Sequence, residues 1–179
     1  MRRIAPSDYR HMPWKNGLGT TIEIAIEPPG ATLDDFVYRV SMATLAVDGP
    51  FSSFPAVDRW IVLLDGGPVV LGEYRLVPLA PHAFPGELAP HGRLEGPVAR
   101  DFNLMLRRGR ATGKLEVRTL GAGERVTLDG RATRIVFVAA GTVEAEGVAA
   151  SEGETLWSDG PVQMGTASGA TTIVATIVR

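Results

Sequence analysis

Cysteine is absent from this 179-residue chain, and its absence removes disulfides, thiolate metal sites and cysteine nucleophiles together. That suits a reducing compartment, and a cytoplasmic location is the expectation. Histidine is nearly as scarce: His11, His82 and His91 are scattered through segments read as loops. One or two of them cannot supply the usual set of three or four metal ligands, so no metal and no other cofactor is expected. No apolar run reaches the roughly 18 residues of a membrane helix. Ile4–Arg10 offers no apolar core for a signal peptide, so none is read there. Neither sign of charge dominates, with 18 basic and 20 acidic residues and a net charge of -2. Nucleic acid and anionic membrane are therefore not expected as partners. Also missing is any helical period sustained beyond about two turns.

What the chain has in quantity is punctuation: 21 Gly and 13 Pro recur between short apolar runs, a rhythm of many strands. Thr20–Glu27 alternates, with Ile22, Ile24 and Ile26 on one face and Thr21, Glu23 and Glu27 on the other. Phe36–Ala43 places Arg39 and Ser41 on a face of otherwise small or apolar residues. Such an Arg either lines a pocket or pairs with a buried carboxylate, because an unpaired buried charge costs several kcal/mol. Asp101–Arg107 sets Asp101, Asn103, Met105 and Arg107 on one face and Phe102, Leu104 and Leu106 on the other. Ala80–Pro90 reads as a loop.

The central stretch is Gly49-Pro50-Phe51-Ser52-Ser53-Phe54-Pro55-Ala56-Val57-Asp58-Arg59, a turn-rich loop running into the apolar strand Trp60–Leu64. A loop that feeds a core strand sets its polar residues at the lip of whatever the strand lines. For Arg59 the alternative to a ligand contact is an ion pair with Asp58 or Glu23.

Residues 111–179 read as a second series of strands, and a weak repeat links the halves. Arg59-Trp60-Ile61-Val62-Leu63-Leu64-Asp65-Gly66 lies against Arg134-Ile135-Val136-Phe137-Val138-Ala139-Ala140-Gly141. Two copies of one sheet unit suggest a duplicated β-barrel, the first near 1–110 and the second near 111–179. The second copy shows few inward polar candidates and is expected to pack solid, in a mainly structural role.

Five motifs carry a resemblance: Pro13-Trp14-Lys15-Asn16-Gly17-Leu18-Gly19, Tyr38-Arg39-Val40-Ser41-Met42-Ala43, Gly49–Pro55, Val57-Asp58-Arg59, and Asp101-Phe102-Asn103-Leu104-Met105. In this order they resemble the HutD/Ves family over residues 1–109. The resemblance implies an all-β, cupin-type double barrel (a bicupin) with little helix. It also implies an association with bacterial histidine utilisation through binding of a pathway intermediate such as N-formylglutamate. Two positions depart from the family pattern: Leu18 replaces the middle of three glycines, and Ile22 replaces an Arg before Glu23. A metal-binding cupin would carry its ligands where this chain has Ser53, Pro55 and Arg59, none of which suits a transition metal.

The residues expected to bind ligand are Lys15, Asn16, Arg39, Ser41, Ser52, Arg59 and Asn103, cations for carboxylates and neutral donors for an amide or formyl group. The expected function is non-enzymatic binding of a small anionic metabolite, with no catalytic residue. The alternative is a metal-free cupin enzyme, an isomerase or amidohydrolase, with Glu23, Asp58 or His82 as base. A homodimer through sheet edges is also expected.

Overall fold

The computed structural model describes residues 1–14 and 19–179. Apart from one 3-10 turn at Pro6–Asp8, its regular structure among these residues is β-strand. The chain divides into two compact units, Arg10–Ala111 and a second made of Met1–Tyr9 with Thr112–Arg179.

The first strand, β1 (Arg2–Ile4), pairs antiparallel with a strand far along the chain, at Thr155–Trp157. Tyr9 helps to fix this segment. Its buried hydroxyl donates to the Gly153 carbonyl at 2.8 Å and shares a 2.8 Å bond with Thr155 Oγ1. The first nine residues thus belong with residues 112–179, a long-range pairing that no local pattern announces.

The Arg10–Ala111 unit is built from β2 (Arg10–Pro13), β3 (Thr20–Glu27), β4 (Tyr38–Leu45), β5 (Gly49–Pro50), β6 (Val57–Asp65), β7 (Val69–Leu71), β8 (Tyr74–Leu76), β9 (His82–Pro85), β10 (His91–Leu94) and β11 (Ala99–Arg107). One sheet runs β2-β3-β4-β11-β6-β9 and the other β5-β10-β7-β8. Leu45, Ile61, Leu63, Phe84 and Ala99 from the first sheet meet Val69, Leu71 and Leu76 from the second in one apolar cluster. The larger sheet therefore has an inner face, and the alternation of β4, β6 and β11 sets which residues lie on it.

Two sequence expectations change here. A β-bulge between Glu23 and Ala25 sets Glu23 opposite Ser41 and Ile26 opposite Arg39. Ile26 therefore shares the face of Glu23 rather than that of Ile22, because the extra residue inverts the alternation. The segment read as the loop Ala80–Pro90 contains β9, paired to β6 with His82 opposite Ile61 and Phe84 opposite Arg59. Its flanking prolines hide so short a strand.

The second unit continues with β12 (Thr112–Leu120), β13 (Arg125–Leu128), β14 (Thr133–Ala145), β15 (Val148–Ser151), β16 (Thr155–Asp159), β17 (Val162–Gly165) and β18 (Ala170–Val178). β14 is long enough to serve two layers. Its first half pairs with β16 and β18, and past a bulge at Val138–Ala140 its second half pairs with β15 and β17. The core between them is aliphatic, including Val136, Val138, Val143, Leu156, Val162, Met164 and Val174.

The sequence repeat has a structural counterpart at its glycines. Gly66 (φ +90°) and Gly141 (φ +80°) both occupy the left-handed region. A Cβ on Gly66 would run into the Val98 carbonyl, and one on Gly141 into the Gly169 carbonyl, so both need glycine for conformation and for space.

Candidate functional site

Five strands of the larger sheet in the Arg10–Ala111 unit, β3, β4, β11, β6 and β9, bring the candidate residues into register. One row across the inner face reads Glu23, Ser41, Asn103, Ile61 and His82; the next reads Ile26, Arg39, Met105, Arg59 and Phe84. Asp101 stands one row further, between Ala43 and Leu63. Polar and charged groups thus occupy a patch whose neighbours on the same face are core apolar residues. Glu23, Arg39, Ser41, Arg59, Asp101 and Asn103 are all buried.

The patch resolves into two connected groups. Arg39 Nε donates to Glu23 Oε2 at 2.7 Å, a buried ion pair, with the exposed Arg10 Nη1 3.9 Å from the other Glu23 oxygen. This is the carboxylate-paired reading of Arg39. Across β11, Arg59 Nη2 donates to Asn103 Oδ1 at 3.1 Å, and Asn103 Nδ2 donates to Asp101 Oδ1 at 2.8 Å. The Ala43 amide donates to that same Asp101 oxygen at 3.0 Å. Asn103 can bridge because its amide has one end that accepts and one that donates.

Arg59 is 6 % exposed, yet neither ion pair considered for it forms. Asp58 accepts from Arg108 Nε at 2.6 Å, and Glu23 is held by Arg39. Arg59 Nη1 donates instead to the Ser52 carbonyl at 3.3 Å, and its buried Nε finds no hydrogen-bond partner among the described residues. Three rings surround the guanidinium: Phe84 at 4.9 Å, Phe54 at 5.4 Å and Phe51 at 5.7 Å from ring centroid to Cζ. Their faces attract a cation, but they cannot accept its hydrogen bonds as a carboxylate would.

Burial dominates the electrostatics. Asp101 is 1 % exposed, and desolvation pushes its carboxyl from the usual 3.8 to about 7, against the pull of Arg59, Asn103 and the Ala43 amide. Desolvation likewise lowers Arg59 to about 10, with Asp101 opposing and Arg39 reinforcing the shift. Below neutral pH Asp101 is therefore largely uncharged, and Arg59 keeps its positive charge without a bonded counter-ion.

Of the seven residues expected to bind ligand, Arg39, Ser41, Arg59 and Asn103 share this patch. Ser52 is exposed and reaches the patch only through its backbone carbonyl. Lys15 and Asn16 lie outside the described residues. Ser53, at a metal-cupin ligand position, is exposed and donates to the Glu87 carbonyl at 3.3 Å, away from Arg59. Among the described residues, no group of three or more His, Cys, Asp or Glu side chains is placed to hold a metal ion.

Asp101 and Phe84 are not among the residues expected from the sequence to bind ligand. Only the pairing of β9 with β6 brings Phe84 beside Arg59. Arg107, on the same strand face, is spent on the carbonyls of Leu33, Asp34, Phe36 and Pro55 and lies over the Phe36 ring. The shallow depression it shares with Leu33, Asp34, Ser53, Phe54 and Pro55 therefore offers no unsatisfied cation.

The fold of this all-β chain is cupin-like. A cupin barrel-domain protein from Leptotrichia buccalis superposes over 88% of both chains with a TM-score of 0.55 at 11% identity, a likeness of fold. The HutD family model matches residues 6–175, and the chain belongs to the HutD family. It is 34% identical over 163 residues to Protein Ves of Escherichia fergusonii, covering 86% of this chain and 82% of that one. HutD from Pseudomonas fluorescens, in a formate condition, matches with a TM-score of 0.81 at 28% identity over 99% and 97% of the two chains. A conserved protein of unknown function from Pseudomonas aeruginosa gives 0.86 at 26% identity over 99% and 98%. No helix among the described residues is long and apolar enough to cross a membrane.

Proposed function

We propose that the Arg10–Ala111 unit binds a small carboxylate metabolite and that the protein modulates histidine utilisation as a binding protein rather than an enzyme. One observation carries the reading: Arg59 is a buried guanidinium whose Nε has no hydrogen-bond partner, and whose charge has no bonded carboxylate, among the described residues. A buried charge of this kind is stabilised by an anion that completes its hydrogen bonds. Arg39 is already neutralised by Glu23, so the uncompensated charge of the patch belongs to Arg59 whenever Asp101 holds its proton.

N-formylglutamate fits this chemistry. It carries carboxylates for Arg59 and a formamide for the Ser41 hydroxyl and the Asn103 amide, which stand beside each other on paired strands. Lys15, Asn16 and Ser52 enter the proposal from the sequence motifs alone. We further read the facing sheets of each unit as the walls of a cupin-type barrel, the first of which would hold the ligand.

Titration calorimetry near pH 6 with formate, glutamate, urocanate and N-formylglutamate tests the site. At least one of these carboxylates is expected to bind, and Arg59→Met is expected to weaken it about tenfold or more, the loss of one charge-assisted hydrogen bond. Unchanged affinity in that variant would remove Arg59 from the site.

The enzymatic alternative draws on His82. It lies in the row of Asn103 and Ile61, its buried Nε2 has no hydrogen-bond partner among the described residues, and desolvation lowers its pKa, as suits a neutral base. Conversion of any of these acids by the purified protein, lost in His82→Gln, would favour it over simple binding.

A further inference from the structure

The sequence reading expects few inward polar residues in the second unit, but its register places a charged group on the core side of that sheet. Lys114, Thr176, Arg134 and Ser158 form one row across β12, β18, β14 and β16. Glu116 and Arg118 follow on the same face of β12, opposite Val174 and Thr172. Val136, Val138, Leu156 and Val174 of the aliphatic core share that face.

The row repeats the arrangement in the other unit. There Arg39 and Arg59 flank Met105 of β11, with Phe84 beyond; here Lys114 and Arg134 flank Thr176 of β18, with Ser158 beyond. In each unit two cations stand either side of one strand, one of them a deeply buried arginine at the start of the repeated motif.

Arg134 is 5 % exposed. Its Nη2 donates to the Asp129 carbonyl at 2.6 Å, while its Nε and Nη1 are buried without a partner among the described residues. Arg118 Nε is buried and unpartnered as well. Glu116 is engaged by Lys114 Nζ at 3.0 Å and by Arg118 Nη2 at 3.4 Å, not by Arg134. Burial pulls the Arg134 guanidinium below its ordinary value even though Glu116 and Asp129 act to raise it. Neither carboxylate offsets that burial.

We propose that the inner face of the second unit carries a second anion site, centred on Arg134 with Arg118 and Lys114, that takes a small carboxylate. A carboxylate oxygen would supply the acceptor that the two free nitrogens of Arg134 lack. Lys114 and Arg118, partly exposed at the edge strand β12, would draw the anion in. Glu116 holds those two cations until the anion competes for them.

Side-chain nitrogen–proton NMR of the arginines tests the site, with acetate as probe against chloride at matched ionic strength. The Arg134 Nε–H signal, assigned by its loss in Arg134→Lys or by through-bond spectra of the native protein should that variant fail to fold, is expected to move saturably with acetate and not with chloride. The same shift is expected in Arg59→Met, which separates this site from the one proposed in the other unit. Glu116→Gln frees Lys114 and Arg118 and is expected to tighten acetate about threefold or more. An Arg134 signal that stays still throughout, or follows chloride equally, overturns the proposal. So does an acetate affinity indifferent to Glu116→Gln.

Discussion

Asp101→Asn isolates the cost of a buried carboxylate. Both hydrogen bonds that Asp101 receives, from the Ala43 amide and from Asn103 Nδ2, end on Oδ1, so an asparagine oxygen accepts both. What changes is the titration. The folded carboxyl sits near 7 against an ordinary 3.8, so between these values the native state holds a proton that the unfolded chain has released. Stability must then fall as pH rises through this window, by about 1.4 kcal/mol per unit and about 4 kcal/mol in all. The penalty is absent below the lower value and complete above the upper one. Asparagine carries no such term, and the other titrating groups cancel in the difference between the proteins. Urea unfolding of both from pH 4 to pH 8.5 should show the variant gaining about 4 kcal/mol on the wild type across that range. Parallel curves would refute the reasoning, because they would mean that Asp101 ionises normally despite its burial.

Further substitutions test the buried ion pair and the glycines of the repeat. Glu23→Gln leaves the Arg39 guanidinium buried without its counter-charge and should cost about 3 kcal/mol in urea at pH 7, largely relieved in the double variant with Arg39→Met. Gly66→Ala and Gly141→Ala each force a side chain into a left-handed position against a carbonyl and should each lower stability by about 2 kcal/mol or more, read as a drop in Tm. A cost at only one of the two would show that the repeat's glycines are not equivalent.

Much of the fold was legible because strand alternation is a local, period-two property. The opposite faces of β4 and β11 follow from their sequences, and Arg39, Ser41, Arg59 and Asn103 do share an inner face. Alternation fails where an inserted residue inverts it. The bulge after Glu23 moved Ile26 to the other face, and no residue type there marks it.

By itself the sequence determined an all-β chain with a weak repeat, motifs of the HutD family and no thiol chemistry. Only the tertiary structure decided which charges meet. Glu23 went to Arg39 and Asp58 to Arg108, and Arg59 was left with an amide, a carbonyl and three phenyl rings. Asp101 became the carboxyl that shares its buried interior. Tertiary pairing also carried β1 to β16 across the whole chain and put Arg134 opposite Thr176. The physical reason is range. A residue's face depends on its neighbours in sequence, whereas the partner of a buried charge depends on which distant strands lie side by side.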